Sequence, residues 1–278
     1  MASKKHASVV VIGAGPGGYA AAFRSADLGK DVLLIDREPV LGGVCLNRGC
    51  IPSKALLHIA RVMEEARSLN GMGVEFGSPK INIDSIREWK EKVIIQLNQG
   101  IAQMAKARKV ETLQGTAAFK SNSELVVSVG SKKTTVSFDH CIIAAGSVSA
   151  SAPGISMDHP DILTSRTALD LEKIPETLLV IGGGYIGLEI GTVYHALGSK
   201  VSVVEFMPAL LPGADPDLVK PLERILRRQF EAILLETRVT ALELAAEQLV
   251  LTFEAADGDP QQHVFDRILV ATGRRPCS

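Results

Sequence analysis

Two cysteines five positions apart stand in the stretch Gly42-Gly43-Val44-Cys45-Leu46-Asn47-Arg48-Gly49-Cys50-Ile51-Pro52-Ser53-Lys54. Thiols placed this way can open and close a disulfide. Three glycines allow tight bends around Cys45, and Leu56, Leu57, Ile59 and Met63 recur at roughly helical spacing beyond Cys50. Pro52 suits a first helical turn, where its missing N–H costs nothing, so Cys50 is expected at or just before a helix N-terminus. There the helix dipole favours a thiolate, and Lys54 adds positive charge. A pair that exchanges with a substrate thiol requires one reachable sulfur and one that is stable as an anion. By itself the spacing also fits a structural disulfide, or two reduced cysteines in a Gly-rich turn. The neighbouring segments decide between these.

Ahead of the pair, Ser8 to Ile12 is a short β-branched run. Gly13-Ala14-Gly15-Pro16-Gly17-Gly18 follows it, then a helical pattern from Tyr19 to Leu28 and a second apolar run, Asp31 to Asp36. Gly13, Gly15 and Gly18 match G-x-G-x-x-G between a strand and a helix, and Asp36 closes the second strand. This is a dinucleotide fingerprint. Gly13 turns tightly, Gly15 lets backbone approach a pyrophosphate, Gly18 lets helix pack on strand, and Asp36 accepts from a ribose hydroxyl. The pattern returns as Leu178 to Ile181, then Gly182, Gly184 and Gly187, with Glu205 closing the strand Val201 to Val204. Gly182 lies 169 positions after Gly13, and Glu205 lies 169 after Asp36. Two dinucleotide sites are therefore expected. At the second, a carboxylate accepts from a free 2′-hydroxyl and repels a 2′-phosphate, which favours NAD over NADP.

The elements that must position these residues define an α/β chain. We read two Rossmann-like dinucleotide-binding folds, each with a small antiparallel β-meander, divided as 1–150 and 151–278. After the cysteines, Ala55 to Leu69 reads as a helix. A longer one follows through Lys106, with Asp84 as N-cap and Ile86, Val93, Leu97, Ile101 and Met104 on one stripe. Trp89 reads as a packing residue. Leu125–Val129 and Thr134–Phe138 are short meander strands, and Cys141 to Gly146 reads as a separate buried strand carrying an inert thiol. Ser147 to Pro160 reads as a crossing segment. In the second half Pro221 is expected near the start of a helix. Strands are expected over Ile233–Leu235, Thr237–Leu242, Leu249–Phe253 and Phe265–Thr272. Arg224, Arg227 and Arg228 read as a solvated face.

Composition narrows the class. The 278 residues carry 30 Lys and Arg against 31 Asp and Glu, a net charge of −1 that offers no global field to nucleic acid or an anionic membrane. No apolar run approaches the ~18 residues of a membrane span. Four cysteines are too few for a secreted disulfide scaffold, so a cytoplasmic redox role is the better reading. No metal site is read, and the six histidines are assigned no role.

With these residues assembled, the sequence resembles the flavin-dependent pyridine nucleotide–disulfide oxidoreductases, and within them the dihydrolipoamide dehydrogenase group. Carrying the likeness are Gly42 to Lys54, the first fingerprint with Asp36, the second as Gly182 to Glu189, and Ala271-Thr272-Gly273-Arg274. The resemblance implies FAD in the first fold and NAD in the second. It implies that Cys45 is the interchange thiol attacked by a dihydrolipoyl group, that Cys50 is the charge-transfer thiolate beside the flavin, and that Lys54 pairs with Glu189 near the flavin N5. Ala117, in a Gly115-Thr116-Ala117 turn, and Gly146 would contact FAD; Val239 and Gly273 would line the NAD site. The implied partners are the dihydrolipoyl domain of a 2-oxoacid dehydrogenase complex and a second copy of the chain.

Departures are few. Ala145 stands where the family often has Thr, and Arg48 where many members have Val. Family members also run well beyond residue 278, into an interface domain that carries a His–Glu base, so weakened FAD binding and low turnover are expected of these residues alone. Two other readings stay open. One is another NAD(P)H-dependent disulfide reductase, against which Glu205 argues. The other is a dinucleotide-binding fragment without turnover.

Overall fold

The computed structural model describes residues 3–152, 155–245, 248–255 and 258–277. Contacts group the chain into two units. The first comprises 1–52, 91–148 and 276–278, and the second 53–90 and 149–275. Apart from a two-residue offset of the boundary, the expected division at 150/151 differs from this in two segments: 53–90 joins the second unit and 276–278 the first. For 53–90 the reason lies in its side chains. Leu56 is buried in the second unit's core, Lys90 Nζ donates to Leu169 O at 2.6 Å, and an Arg67 guanidinium N–H donates to Ala196 O at 3.4 Å.

The chain opens with β1 (Ser3–Ile12), α1 (Pro16–Asp27), β2 (Val32–Asp36), α2 (Gly43–Arg48), α3 (Cys50–Ser68) and α4 (Ile83–Ala107). It continues through β3 (Glu111–Gln114), β4 (Thr116–Phe119), β5 (Glu124–Val129), β6 (Lys132–Ile143) and β7 (Ser147–Ser149). Strand order in the first unit's sheet is β3-β2-β1-β6-β5-β4. β3, β2, β1 and β6 run parallel, and β4 and β5 return antiparallel. A strand buried on both faces needs a continuous apolar run rather than an alternating one. β1 supplies it: Val9 and Val11 pack with Ala22, Phe23 and Ala105, while Ala7 and Val10 pack with Leu33, Leu125 and Phe138 on the other face. Each fully buried side chain of this size contributes about 1.5–3 kcal/mol.

Then follow β8 (Ile162–Leu163), α5 (Ser165–Leu169), β9 (Thr177–Ile181), α6 (Tyr185–Ala196), β10 (Lys200–Val204) and α7 (Pro216–Gln229). β11 (Ala232–Leu234), β12 (Thr237–Ala245), β13 (Gln248–Ala255), β14 (Gln261–Phe265), β15 (Arg267–Val270) and β16 (Arg274–Pro276) complete the chain. Strand order β11-β10-β9-β15-β8 is all parallel and repeats the plan of the first sheet, with β9 in the place of β1 and β15 in the place of β6. β12, β13 and β14 form a separate antiparallel meander. The α/β class with two Rossmann-like folds and their meanders therefore stands. Among the described residues no helix is long and apolar enough to cross a membrane.

Several local expectations need correction. Thr134–Phe138 and Cys141 onward are one strand, β6, because β1 pairs with it from Ser3↔Thr134 to Ile12↔Ile143. Its far end is not buried: β5 pairs only as far as Ser137, and Ile143 is 66 % exposed. Of the Ser147–Pro160 segment, residues 153 and 154 lie outside the described residues, and Ser147–Ser149 is strand. Asn82, rather than Asp84, caps α4, its Oδ1 accepting from Ser85 N at 3.0 Å. On α4, Leu97, Met104 and Trp89 are exposed; of the expected stripe Ile86 and Ile101 pack inward, and Lys90, Ile94 and Ala105 are the buried residues. α7 starts at Pro216, capped by Asp215, and runs on through Pro221. The strand expected over Phe265–Thr272 is the shorter β15, and its first residue, Phe265, instead closes β14 in the meander, a strand the sequence reading missed. Asp266 marks the change, its carboxylate accepting from Thr177 N at 2.8 Å.

Candidate active site

The two nucleotide loops are built to one plan. Gly13 follows β1 with φ +100°, and a Cβ there would stand 2.2 Å from Ala144 O, just past β6. A Cβ at Gly18 would stand 1.7 Å from Gly13 O, so α1 lies directly against the turn. The second loop reproduces both approaches: Gly182 against Ala271 O at 2.6 Å and Gly187 against Gly182 O at 2.3 Å. Gly15 and Gly184 are the N-cap residues of α1 and α6, each without a side-chain cap. A Cβ at Gly17 or Gly184 would meet nothing within 4 Å. Uncapped N–H groups at the open end of a twelve-residue helix suit a pyrophosphate, and the donors and the room fit a dinucleotide in both folds.

The acids do more than the sequence indicates. Asp36 Oδ2 accepts from Ala14 N at 2.6 Å and Oδ1 from Glu38 N at 2.9 Å. Glu205 Oε2 accepts from Gly183 N at 2.6 Å and Oε1 from Met207 N at 2.8 Å. Each carboxylate thus ties a strand end to its glycine loop.

The dithiol turn is fastened to the first loop. Gly42 N donates to Ala14 O at 2.8 Å, and a Cβ on Gly43, whose φ is +58°, would lie 2.6 Å from Gly15 Cα. Only glycine at position 43 permits this approach. Cys45 sits half-buried on α2, and Cys50 is exposed as the first residue of α3. Arg48, between them, pairs with Glu38 at 2.7 Å. Asn47 Nδ2 donates to Leu41 O and Gly43 O, both at 3.0 Å, and its Oδ1 accepts from Asn98 Nδ2 at 2.8 Å.

One helical turn beyond Cys50, Lys54 Nζ meets Glu189 Oε1 on α6 at 2.6 Å. Ser53, 5 % exposed, donates from Oγ to Glu189 Oε2 at 2.7 Å, so both oxygens of that carboxylate are held by adjacent residues of α3. Ser53 and Asn98 are residues that the sequence reading missed. The remaining expected contacts are dispersed. Ala117 lies within β4 opposite Val127 rather than in a turn. Gly146 O accepts from Cys277 N at 2.9 Å, and Gly273 O from Ala150 N at 3.0 Å. Val239 sits opposite Phe253 at the edge of a β-bulge. Cys141 is partly buried, and burial pushes its thiol pKa up, which makes it a poor nucleophile.

A doubled dinucleotide fold with a cysteine pair fastened to its first phosphate loop defines a class, the nucleotide-dependent dithiol–disulfide oxidoreductases. The family model described as pyridine nucleotide-disulphide oxidoreductase matches residues 7–278. The chain belongs to that family, whose members use FAD and a nicotinamide nucleotide. It is 49 % identical over 276 residues to the dihydrolipoyl dehydrogenase of Vibrio cholerae, covering 99 % of this chain and 58 % of that protein. The dihydrolipoyl dehydrogenase of Haemophilus influenzae is 47 % identical, again with 99 % and 58 % covered. Among solved structures, the HOCl-induced flavoprotein disulfide reductase RclA of Escherichia coli matches with a TM-score of 0.82 at 27 % identity, covering 99 % of this chain and 58 % of that one. The chain therefore spans a little under three fifths of the length of these relatives.

Proposed function

We propose that this chain works as a dihydrolipoyl dehydrogenase, moving an electron pair from a dihydrolipoyl group to NAD through the Cys45–Cys50 disulfide. The observation that carries this reading is the attachment of the cysteine turn to the first nucleotide loop, through Gly42 N to Ala14 O and the Gly43–Gly15 approach. A dithiol fixed to a phosphate loop has no structural need to be there; a dithiol that exchanges electrons with the bound nucleotide does.

In this reading a substrate thiolate attacks Cys45 Sγ. The Cys45–Cys50 bond breaks, a mixed disulfide forms on Cys45, and Cys50 leaves as the thiolate. The second substrate thiol then attacks its own sulfur in the mixed disulfide. This releases cyclic disulfide and leaves the pair reduced by two electrons. FAD, when bound, supplies the two-electron exchange between that dithiol and NAD. Gly13, Gly15, Gly18 and Asp36 would hold FAD, with Ala117 and Gly146 adding backbone contacts. Gly182, Gly184, Gly187, Glu205, Val239 and Gly273 would hold NAD. Lys54, oriented by Glu189, would place its ammonium by the flavin. The proposed partners are the dihydrolipoyl domain of a 2-oxoacid dehydrogenase complex and a second copy of the chain.

The test is the absorption spectrum of the FAD-loaded chain during stepwise reduction with dithiothreitol. Long-wavelength charge-transfer absorbance in the wild type that vanishes in Cys50→Ser supports the assignment. Its presence in Cys50→Ser, or its absence from a wild type that holds FAD, overturns it.

A further inference from the structure

A six-residue helix cannot hold its own shape in water, so the geometry of α2 around Cys45 is set by what grips it. Part of the grip is Asn47. Both of its amide hydrogens go to backbone carbonyls, Leu41 O and Gly43 O, which fixes the orientation of the amide. Its Oδ1 therefore has to be the acceptor for Asn98 Nδ2 on α4. The orientation of Asn98 follows, since a flipped Asn98 amide would set two oxygens against each other. One consequence is visible. Among the described residues, Asn98 Oδ1 is a buried side-chain oxygen with no hydrogen-bond partner. Buried amide oxygens are seldom left so. The Asn98 N–H is thereby fixed on Asn47, two residues from Cys45.

We propose that Asn98 is a positioning residue for the dithiol. Acting through Asn47, it holds α2 so that Cys45 returns within bonding reach of Cys50 each time the disulfide closes. This rests on the reading of Cys45 and Cys50 as the redox pair. When the pair closes against oxidised dithiothreitol, the two thiols lose two electrons and two protons, and the reagent becomes its dithiol. The equilibrium constant depends on the effective concentration of one protein thiol toward the other. Release of the brace lets α2 explore more arrangements, lowers that concentration, and moves the equilibrium toward the dithiol.

The experiment equilibrates the full chain with mixtures of reduced and oxidised dithiothreitol, traps thiols by alkylation, and quantifies Cys45 and Cys50 by peptide mass spectrometry. Asn98→Asp keeps the shape of the side chain but offers no N–H to Asn47; Asn98→Ala removes the brace altogether. Both are expected to lower the equilibrium constant for disulfide formation about five- to tenfold. Gln99→Ala, on the exposed face of α4, is expected to leave it unchanged. General loosening of the fold would lower thermal stability without moving this constant. A wild-type constant in either folded Asn98 variant, or an equal shift in Gln99→Ala, overturns the proposal. Failure of the wild type to form a Cys45–Cys50 disulfide at any ratio overturns the redox-pair reading instead.

Discussion

At the scale of single residues, the Ser53–Glu189–Lys54 cluster separates two kinds of contribution. Ser53 is buried, and its hydroxyl serves one oxygen of a charged group, so Ser53→Ala is expected to cost about 1–2 kcal/mol in urea unfolding. The Lys54 side chain is 60 % exposed, and its ion pair contributes about 0–1 kcal/mol. Lys54→Gln should therefore unfold close to wild type and show its effect in the flavin spectrum. The opposite ranking of the two variants in stability would contradict this division. His195 gives a pH effect. Burial holds its imidazole below the ordinary value of 6.5, Arg67 adds to the depression, and Glu64 opposes it. As pH falls through about 6.5 the unfolded chain takes up a proton that the folded chain still refuses. The stability that His195 contributes is thus complete above that pH and is lost as pH falls toward the depressed folded value. Between pH 7.5 and 5.5 the wild type should lose more thermal stability than His195→Gln; equal losses would exclude the linkage. Cys45, Cys50, Asp36 and Glu205 stand out in the sequence because their neighbours mark them as candidates. Asn98 does not: its partner Asn47 lies 51 positions away, and no local pattern marks an asparagine on a helix as a brace.

Among elements, the glycines of helices differ by what surrounds them. Gly18 lies against Gly13 O, whereas a Cβ at Gly100, within α4, would meet nothing within 4 Å. Gly18→Ala is expected to destabilise by about 1–3 kcal/mol or more, because backbone must move. Gly100→Ala should stabilise by about 1 kcal/mol. Denaturant midpoints for the pair check both signs at once. Pro221 offers a third case. It lies inside α7, where it removes the bond to the carbonyl four residues back, and Pro221→Ala should raise the melting temperature. The sequence reading placed this proline too near the helix start because it weighed the cost of an interior proline above the local start signal of Asp215 as cap and Pro216 at the first helical position. For the strands the limit is local pattern itself. β6 reads as two because Asp139 and His140 interrupt the apolar run, yet its ladder with β1 continues across both. β14 went unread because only Val264 and Phe265 of its five residues are apolar.

At the scale of the molecule, the repeated fold predicts separable ligand effects. FAD at a hundredfold excess over its Kd adds about 2.7 kcal/mol to the stability of a chain that binds it. Asp36→Ala should abolish the thermal shift from FAD and, because its carboxylate also ties Ala14 and Glu38, lower stability without ligand. Glu205→Ala should keep the FAD shift and lose the one from NADH. Calorimetry with each nucleotide alone tests the pair, and loss of both shifts in either variant would contradict two independent sites. The arrangement of β1 has a further consequence, for biosynthesis. One edge of this central strand is filled by β2, almost at once. The other awaits β6, with His6 paired to Ser137, 131 positions later. At ribosomal speeds of about 5–20 residues per second, a nascent chain waits roughly 7–26 s with a doubly apolar strand unpaired along that edge. Within that interval the ribosome also emits residues 53–90, which settle elsewhere. The first unit is therefore begun first and finished late, and its unclosed edge is where a chaperone would earn its place.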